Sequence, residues 1–174
     1  MTNTTVNPSR ISRGFTLIEL MVVIVIIGIV INFAVVSFGS NSPADRLNKE
    51  STRLMSLIQI AGEEALLRSS FIGVDILQDS YGFLRLEEGE WQPLDDDLFR
   101  NRHLPDDMLL TIITSQPQEN NSDEDDKRTP EIILLNSGEM TPFDIKINSI
   151  NIDDYYRLSG NEVGDLTLNQ VSPY

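Results

Sequence analysis

The pattern of apolar and polar residues divides the chain into two unlike parts. Residues 15–38 read FTLIELMVVIVIIGIVINFAVVSF and are almost wholly apolar. As a helix they would span roughly 36 Å, which exceeds the hydrocarbon core of a bilayer at about 30 Å. The 13 Leu, Ile, Val and Phe residues from Leu20 to Val36 favour insertion by about 4–8 kcal/mol, against a cost of roughly 3 kcal/mol for Glu19. This segment therefore predicts a membrane-spanning helix.

After Phe38 the pattern changes to that of an amphipathic helix. Ser42 is a typical N-cap, and Pro43 suits the first helical position. The helix is expected to extend to about Arg68. Apolar residues recur along it at spacings of seven, four, three and four, which is one helical face: Leu47, Leu54, Ile58, Ala61 and Ala65.

Beyond Ser70, short β-like runs alternate with turn residues. The candidate strands are 71–77, 81–87, 108–114, 131–135, 143–148, 155–158 and 165–170. The sequence at 88–90, Glu-Gly-Glu, predicts a hairpin turn, and Gly138 and Gly160 are expected to mark further turns. The polar, acidic stretch 115–129 is expected to be a mobile loop. A helix followed by such strands predicts an α+β domain with an antiparallel sheet.

Almost all of the charge lies in the second part of the chain. Residues 39–174 contain 26 of the 27 acidic residues and 11 of the 13 Lys and Arg residues, a net charge of −15. Because nucleic-acid affinity comes mainly from Lys and Arg contacts to phosphates, we expect no nucleic-acid partner. The sequence has no Cys, which excludes disulfides, Cys-zinc sites and thiol catalysis.

No residue pattern indicates an enzyme. The only histidine, His103, lies beside Arg102 in a charged segment and is expected to be a surface or interface residue. A nucleophile elbow, a phosphate loop and a dinucleotide fingerprint are all absent from the sequence. Acidic clusters such as 123–126 lack the ligand spacing of an EF-hand loop, so we predict no metal or cofactor site. Trp91 and the pair Tyr155–Tyr156 are compatible with a partner contact or with packing on a sheet.

The start of the apolar segment carries a specific motif. Residues 13–23, RGFTLIELMVV, closely resemble the prepilin signature of type IV pilins and type II secretion pseudopilins. The resemblance implies cleavage by prepilin peptidase between Gly14 and Phe15, methylation of the new Phe15 amino group, and an assembly role for Glu19. A secretory signal and a plain membrane anchor are the alternatives, and Glu19 argues against both.

Physical chemistry suggests how Glu19 would act. A carboxylate in an apolar helix is costly unless it is paired, and the new amino group of Phe15 is the nearby cation. Since the two residues stand four apart, a pair within one helix is possible. The interpretation we favour is a pair between Glu19 of an incoming subunit and Phe15 of a neighbour, which would set the axial register.

A second resemblance lies nearer the C-terminus. Residues 130–143, PEIILLNSGEMTPF, are similar to the strand-turn-strand segment of the type II secretion protein H family, whose members are minor pseudopilins. This resemblance implies a pilin-like fold with a leader at 1–14, an apolar helix at 15–38, an amphipathic continuation at 39–70 and a β-rich periplasmic domain at 71–174.

The same resemblance implies location and partners. The chain would be anchored in the inner membrane with a cytoplasmic N-terminus, which Arg10 and Arg13 also favour. Its partners would be the major pseudopilin and the minor tip pseudopilins I, J and K, in a filament that pushes folded proteins through the outer membrane. A minor type IV pilin and a membrane-anchored periplasmic binding protein are the alternatives.

Overall fold

The computed structural model describes residues 16–37, 42–94, 96–113 and 129–173, and the side chains of 30–37 are not among what it describes. The chain forms two compact units, Met1–Ser40 and Asn41–Tyr174. The first unit contains helix α1, Leu17–Ser37. Within the described residues, no helix has both the length and the apolar character needed to cross a membrane. The predicted loop at 115–129 lies outside the described residues, apart from its last residue.

Helix α2, Pro43–Arg68, is the central helix of the second unit and begins as predicted. Ser42 has an extended backbone, and its hydroxyl accepts a hydrogen bond from the Asp45 N–H at 3.1 Å. The helix ends at Ser69, which adopts the left-handed conformation and donates its N–H to the carbonyls of Ala65 and Leu66. All five residues of the predicted apolar stripe are buried, so that prediction is confirmed.

Two antiparallel sheets complete the second unit. The strands are β1 (Ile72–Ile76), β2 (Ser80–Glu87), β3 (Glu90–Pro93), β4 (Arg102–His103), β5 (Met108–Ile112), β6 (Ile132–Leu134), β7 (Phe143–Ser149), β8 (Tyr155–Gly160) and β9 (Leu166–Val171). The first sheet has the order β3-β2-β1-β6 with β4 also paired to β2, and the second has the order β5-β7-β8-β9. Side chains from α2 and both sheets share one apolar core. The predicted α+β architecture is confirmed.

Strands β3 and β4 were not predicted. Strand β3 follows the predicted hairpin turn directly, with Glu87 paired to Glu90. Glu88 and Gly89 both have positive φ, 52° and 86°, as a two-residue turn of type I′ requires. The turn prediction was therefore correct, although the strand after it was overlooked.

The prediction that Gly160 marks a turn is wrong. Gly160 is the last residue of β8 and pairs with Phe143 of β7. A Cβ atom at this position would lie 2.3 Å from Cε1 of Phe143, so the glycine leaves room for the aromatic ring of its cross-strand partner. The turn lies further along, at Gly164, where φ is 92°.

This packing predicts opposite effects for two glycine substitutions. Gly160→Ala is expected to lower the free energy of unfolding by about 1–3 kcal/mol, because the buried Phe143 ring must move. Gly62→Ala in α2 is the control: its Cβ would meet no atom within 4 Å, so it should raise stability by about 0.4–1 kcal/mol. Urea unfolding of both variants measures the difference, and equal effects would contradict the packing argument.

Candidate assembly site

The first turn of α1 holds Glu19 in a defined local geometry. The Thr16 carbonyl accepts hydrogen bonds from the N–H groups of Glu19 and Leu20 at 3.1 and 3.3 Å. The Thr16 hydroxyl also accepts from the Glu19 N–H, at 3.3 Å. A Thr followed three residues later by Glu has the spacing of a capping box. Thr16 belongs to the motif recognised in the sequence, but its capping role was not predicted, although this spacing was its signal.

Glu19 therefore has a local role beside the predicted one. A carboxylate in the first turn of a helix interacts favourably with the positive end of the helix dipole. The Glu19 side chain is exposed, so it remains available to a second molecule. Gly14 and Phe15, the other predicted site residues, lie outside the described residues. Their cleavage, methylation and pairing with Glu19 stay predictions.

The described apolar side chains of α1, from Leu17 to Ile29, are all exposed. All residues from Thr16 to Ile29 are exposed, and the large apolar ones range from 45% for Val23 to 78% for Leu17. An amphipathic helix would bury one stripe and expose the other face, whereas the described side chains of α1 form no polar face. A continuous apolar surface of this kind indicates a site of contact with a membrane or with other protein.

In the second unit, Asp107 ties α2 to the second sheet. Its Oδ2 atom accepts from Arg46 Nη2 at 3.0 Å, from Asn151 Nδ2 at 2.9 Å and from the Ser149 hydroxyl at 3.2 Å. Burial alone would raise the pKa of Asp107. The hydrogen bond from Asn151, the charge of Arg46 and the bond from Ser149 together outweigh burial and hold that pKa below its ordinary value. The carboxylate thus stays ionised and holds the start of α2 in place.

A second ionic contact lies across strands β7 and β8. Arg157 donates from Nε and Nη2 to the two carboxylate oxygens of Asp144 at 3.0 and 2.7 Å, and the Ser159 hydroxyl also bonds to this carboxylate. The bonds from Arg157 lower the pKa of Asp144, and the carboxylate in turn raises the pKa of Arg157. This bidentate pair holds β7 and β8 together and satisfies both charged groups within the sheet.

The remaining candidate residues take structural positions. His103 is exposed on β4, where it pairs with Ser80, as expected for a surface residue. Trp91 is half-buried on β3, and Cζ3 of its ring would lie 3.1 Å from a Cβ atom placed on Gly73. Tyr155 lies under the Lys146 ammonium, 4.5 Å from the ring centroid. Across the described ranges, no group of three or more His, Asp or Glu residues could hold a metal ion.

Comparison with known families identifies two segments of the chain. Residues 50–164 match the family described as type II transport protein GspH. This match runs from within α2 to the turn before β9. Residues 9–31 match the prokaryotic N-terminal methylation motif, which covers the predicted cleavage site and Glu19.

Individual relatives agree with these families. The chain is 39% identical over 147 residues to type II secretion system protein H of Pseudomonas aeruginosa, covering 79% of this chain and 84% of that protein. It is 28% identical over 170 residues to protein H of Aeromonas hydrophila, covering 90% and 93%. The crystal structure of the minor pseudopilin EpsH from the type II secretion system of Vibrio cholerae superposes with a TM-score of 0.60 at 25% identity, covering 76% of this chain and 98% of that one.

These relatives decide between the alternatives that the sequence had left open. The matching proteins are named for type II secretion, which favours a secretion pseudopilin over a type IV pilin or an anchored binding protein. The family match covers more than half of the chain, and its members are structural proteins. The chain therefore belongs to the type II transport protein GspH family and is a minor pseudopilin of type II secretion.

Proposed function

We propose that the chain is made as a precursor which prepilin peptidase cleaves between Gly14 and Phe15. The same enzyme then methylates the new amino group of Phe15. The match of residues 9–31 to the N-terminal methylation motif supports this proposal, since it spans both residues. Cleavage removes Arg10 and Arg13 and leaves a subunit whose first residues are apolar.

The processed subunit is held in the inner membrane by residues 15–38 before assembly. The N-terminus lies on the cytoplasmic side and the domain formed by α2 and the two sheets lies in the periplasm. The observation that carries this proposal is the exposure of every described side chain at the start of α1, because these apolar groups need a cover that the described residues do not provide.

Assembly joins the subunit to a neighbour through Glu19. Its carboxylate pairs with the methylated amino group of Phe15 on an adjacent subunit, and packing of the apolar helices holds the bundle. The capping bonds from Thr16 support this role because they hold the backbone of Glu19 at a fixed place in the first turn. The paired charges specify the axial register, which apolar packing by itself does not.

The partners are other pseudopilins. The subunit is incorporated at or near the filament tip, in contact with the minor pseudopilins I, J and K and above the major pseudopilin. There it supports the export of folded proteins across the outer membrane. A structural role of this kind needs no cofactor.

Intact-mass measurement of the protein extracted from membranes tests the proposal. The expected mass is that of residues 15–174 with one added methyl group. Cells that lack prepilin peptidase provide the control and should yield the full-length chain without the methyl group. A chain that begins at Met1 in normal cells would overturn the proposed processing.

A further inference from the structure

An open depression in the second unit is surrounded mainly by basic side chains. It has a volume of about 310 Å³ and lies between α2 and strand β4 with the residues just before it. Its lining consists of Glu50, Arg53, Arg100, Asn101, Arg102 and His103. The described residues include nine Lys and Arg side chains, so a third of them meet at this one place, together with the only histidine.

Only one of the three arginines that line the depression is paired with a carboxylate of the described residues. Arg53 is held by Glu50, with Nη1 donating to both carboxylate oxygens at 2.6 and 2.7 Å. In the described part of the chain, neither Arg100 nor Arg102 forms an ion pair with a carboxylate. Residues 39–174 carry a net charge of −15. Within the described part of this acidic domain, two arginines without a carboxylate partner in one depression form a local concentration of positive charge.

The fold holds Arg102 in a fixed position. The residue lies in β4 opposite Tyr81 of β2. Its Nη2 atom donates to the backbone carbonyls of Leu98 and Asp97 at 3.3 and 3.5 Å. Bonds to neutral carbonyls orient the guanidinium but do not neutralise it. The positive charge is therefore positioned in advance and remains available to an anion.

Two buried polar atoms near this position lack a hydrogen-bond partner among the described residues. Within the described residues, neither Arg102 Nε nor the Tyr81 hydroxyl makes a hydrogen bond, although both atoms are buried. Tyr81 is 1% exposed, and its hydroxyl lies within the electrostatic reach of Glu50, Arg102 and Arg53. Burial, with a further contribution from Glu50, raises the pKa of Tyr81 to about 12, so the phenol stays neutral. Native proteins rarely leave such groups unpaired.

The arginines of the depression favour an oxyanion such as a carboxylate. A guanidinium presents a rigid fork of N–H donors that fits a carboxylate in a bidentate manner. An extended polyanion, such as a nucleic acid or an anionic membrane surface, would be repelled by the overall negative charge of the domain. A short acidic segment would place one or two carboxylates in the depression. Its other parts would lie beyond the screening length of about 8 Å and would feel little repulsion. The depression therefore favours a protein segment over either of those surfaces.

We infer that this depression binds carboxylate side chains on an acidic segment of a neighbouring pseudopilin. The inference rests on the proposed function, because it takes a pseudopilin as the neighbour. Contact through this site would join two acidic subunits by local charge complementarity. This contact lies in the folded domain. It would add to the contribution of Glu19, which lies near the N-terminus.

A photo-crosslinking amino acid at Asn101, in the full-length chain within secreting cells, tests the inference. Asn101 is exposed and lines the depression. The expected product is a crosslink to an Asp- or Glu-containing peptide of another pseudopilin. Arg100→Glu should lower the yield at least about tenfold, the effect of losing one charge-assisted hydrogen bond. Arg100 is exposed, so this change should not disturb folding.

Arg68→Glu is the charge-reversal control, since Arg68 is an exposed arginine at the end of α2 that pairs with Glu64 and does not line the depression. It should leave the yield unchanged, and replacing the crosslinked acidic residue of the partner with Lys should restore the yield of Arg100→Glu. If Arg100→Glu leaves the crosslinking yield unchanged, or if Asn101 crosslinks only to lipid, the inference is wrong.

A second probe at Ile24 in α1 separates this inference from the proposed function. Ile24 is exposed on the apolar helix. If Ile24 captures another pseudopilin and Asn101 captures none, the inference fails while the proposed function stands. If neither position captures a pseudopilin, the proposed function fails as well.

Discussion

Glu19→Ala is expected to leave membrane insertion and cleavage intact and to lower incorporation into the filament by about two orders of magnitude or more. The reason is that removal of one member of a buried ion pair costs about 3–5 kcal/mol, because the remaining charge is left without a partner. On the proposed function, that charge is the Phe15 amino group of the neighbour. Glu19→Gln should have a similar effect, since it keeps the shape but not the charge. Crosslinking between subunits in membranes measures incorporation.

Two comparisons make the Glu19 experiment specific. Glu63→Ala removes an exposed carboxylate from α2 and should assemble normally. The mass of each variant should correspond to residues 15–174, which separates loss of assembly from loss of processing. Normal co-assembly of Glu19→Ala would rule out the proposed pair and leave Glu19 with only its role at the start of α1.

Leu54→Ala is expected to lower the free energy of unfolding by about 2–5 kcal/mol. Leu54 is 1% exposed and lies on the buried face of α2, in the core shared by both sheets. Its truncation removes apolar contacts and leaves a cavity. Leu67→Ala is the matched control on the same helix, because Leu67 is 82% exposed. The control should change stability by no more than about 0.5 kcal/mol.

Denaturant unfolding monitored through Trp91, the single tryptophan, measures both leucine variants. Trp91 lies in β3, on the sheet that packs with α2, so its fluorescence reports on the same cooperative unit. Equal stabilities for the two variants would contradict the placement of Leu54 in the core. A large loss for Leu67→Ala alone would indicate that the buried and exposed faces of α2 have been interchanged.

The parts of the fold that local patterns determine were predictable from the sequence. Helix α2 has a helical repeat of apolar residues, an N-cap at Ser42 and a basic residue in its last turn, and it runs where that pattern placed it. The turn at Glu88 and Gly89 was likewise predictable, because glycine readily adopts the positive φ that a tight hairpin needs. Long-range contacts were not needed to specify either feature.

Features that depend on distant pairing were not predictable. Strand β4 consists of Arg102 and His103 and is a strand only because it pairs with β2. Gly160 resembles a turn residue in sequence, yet its place is set by the Phe143 ring across the strand pair. The basic depression joins residues 50–53 of α2 to residues 100–103, so no local window of sequence contains it. Of the predicted assembly site, only Glu19 lies in the described residues.

The apolar surface of α1 also bears on the energetics of filament growth. A subunit that leaves the bilayer for a filament exchanges lipid tails for the equally apolar helices of its neighbours. The hydrophobic effect contributes little to such a transfer, because no apolar surface moves out of water. On the proposed function, growth is therefore close to reversible along this surface. Its direction must come from a few polar contacts or from external work at the base of the filament.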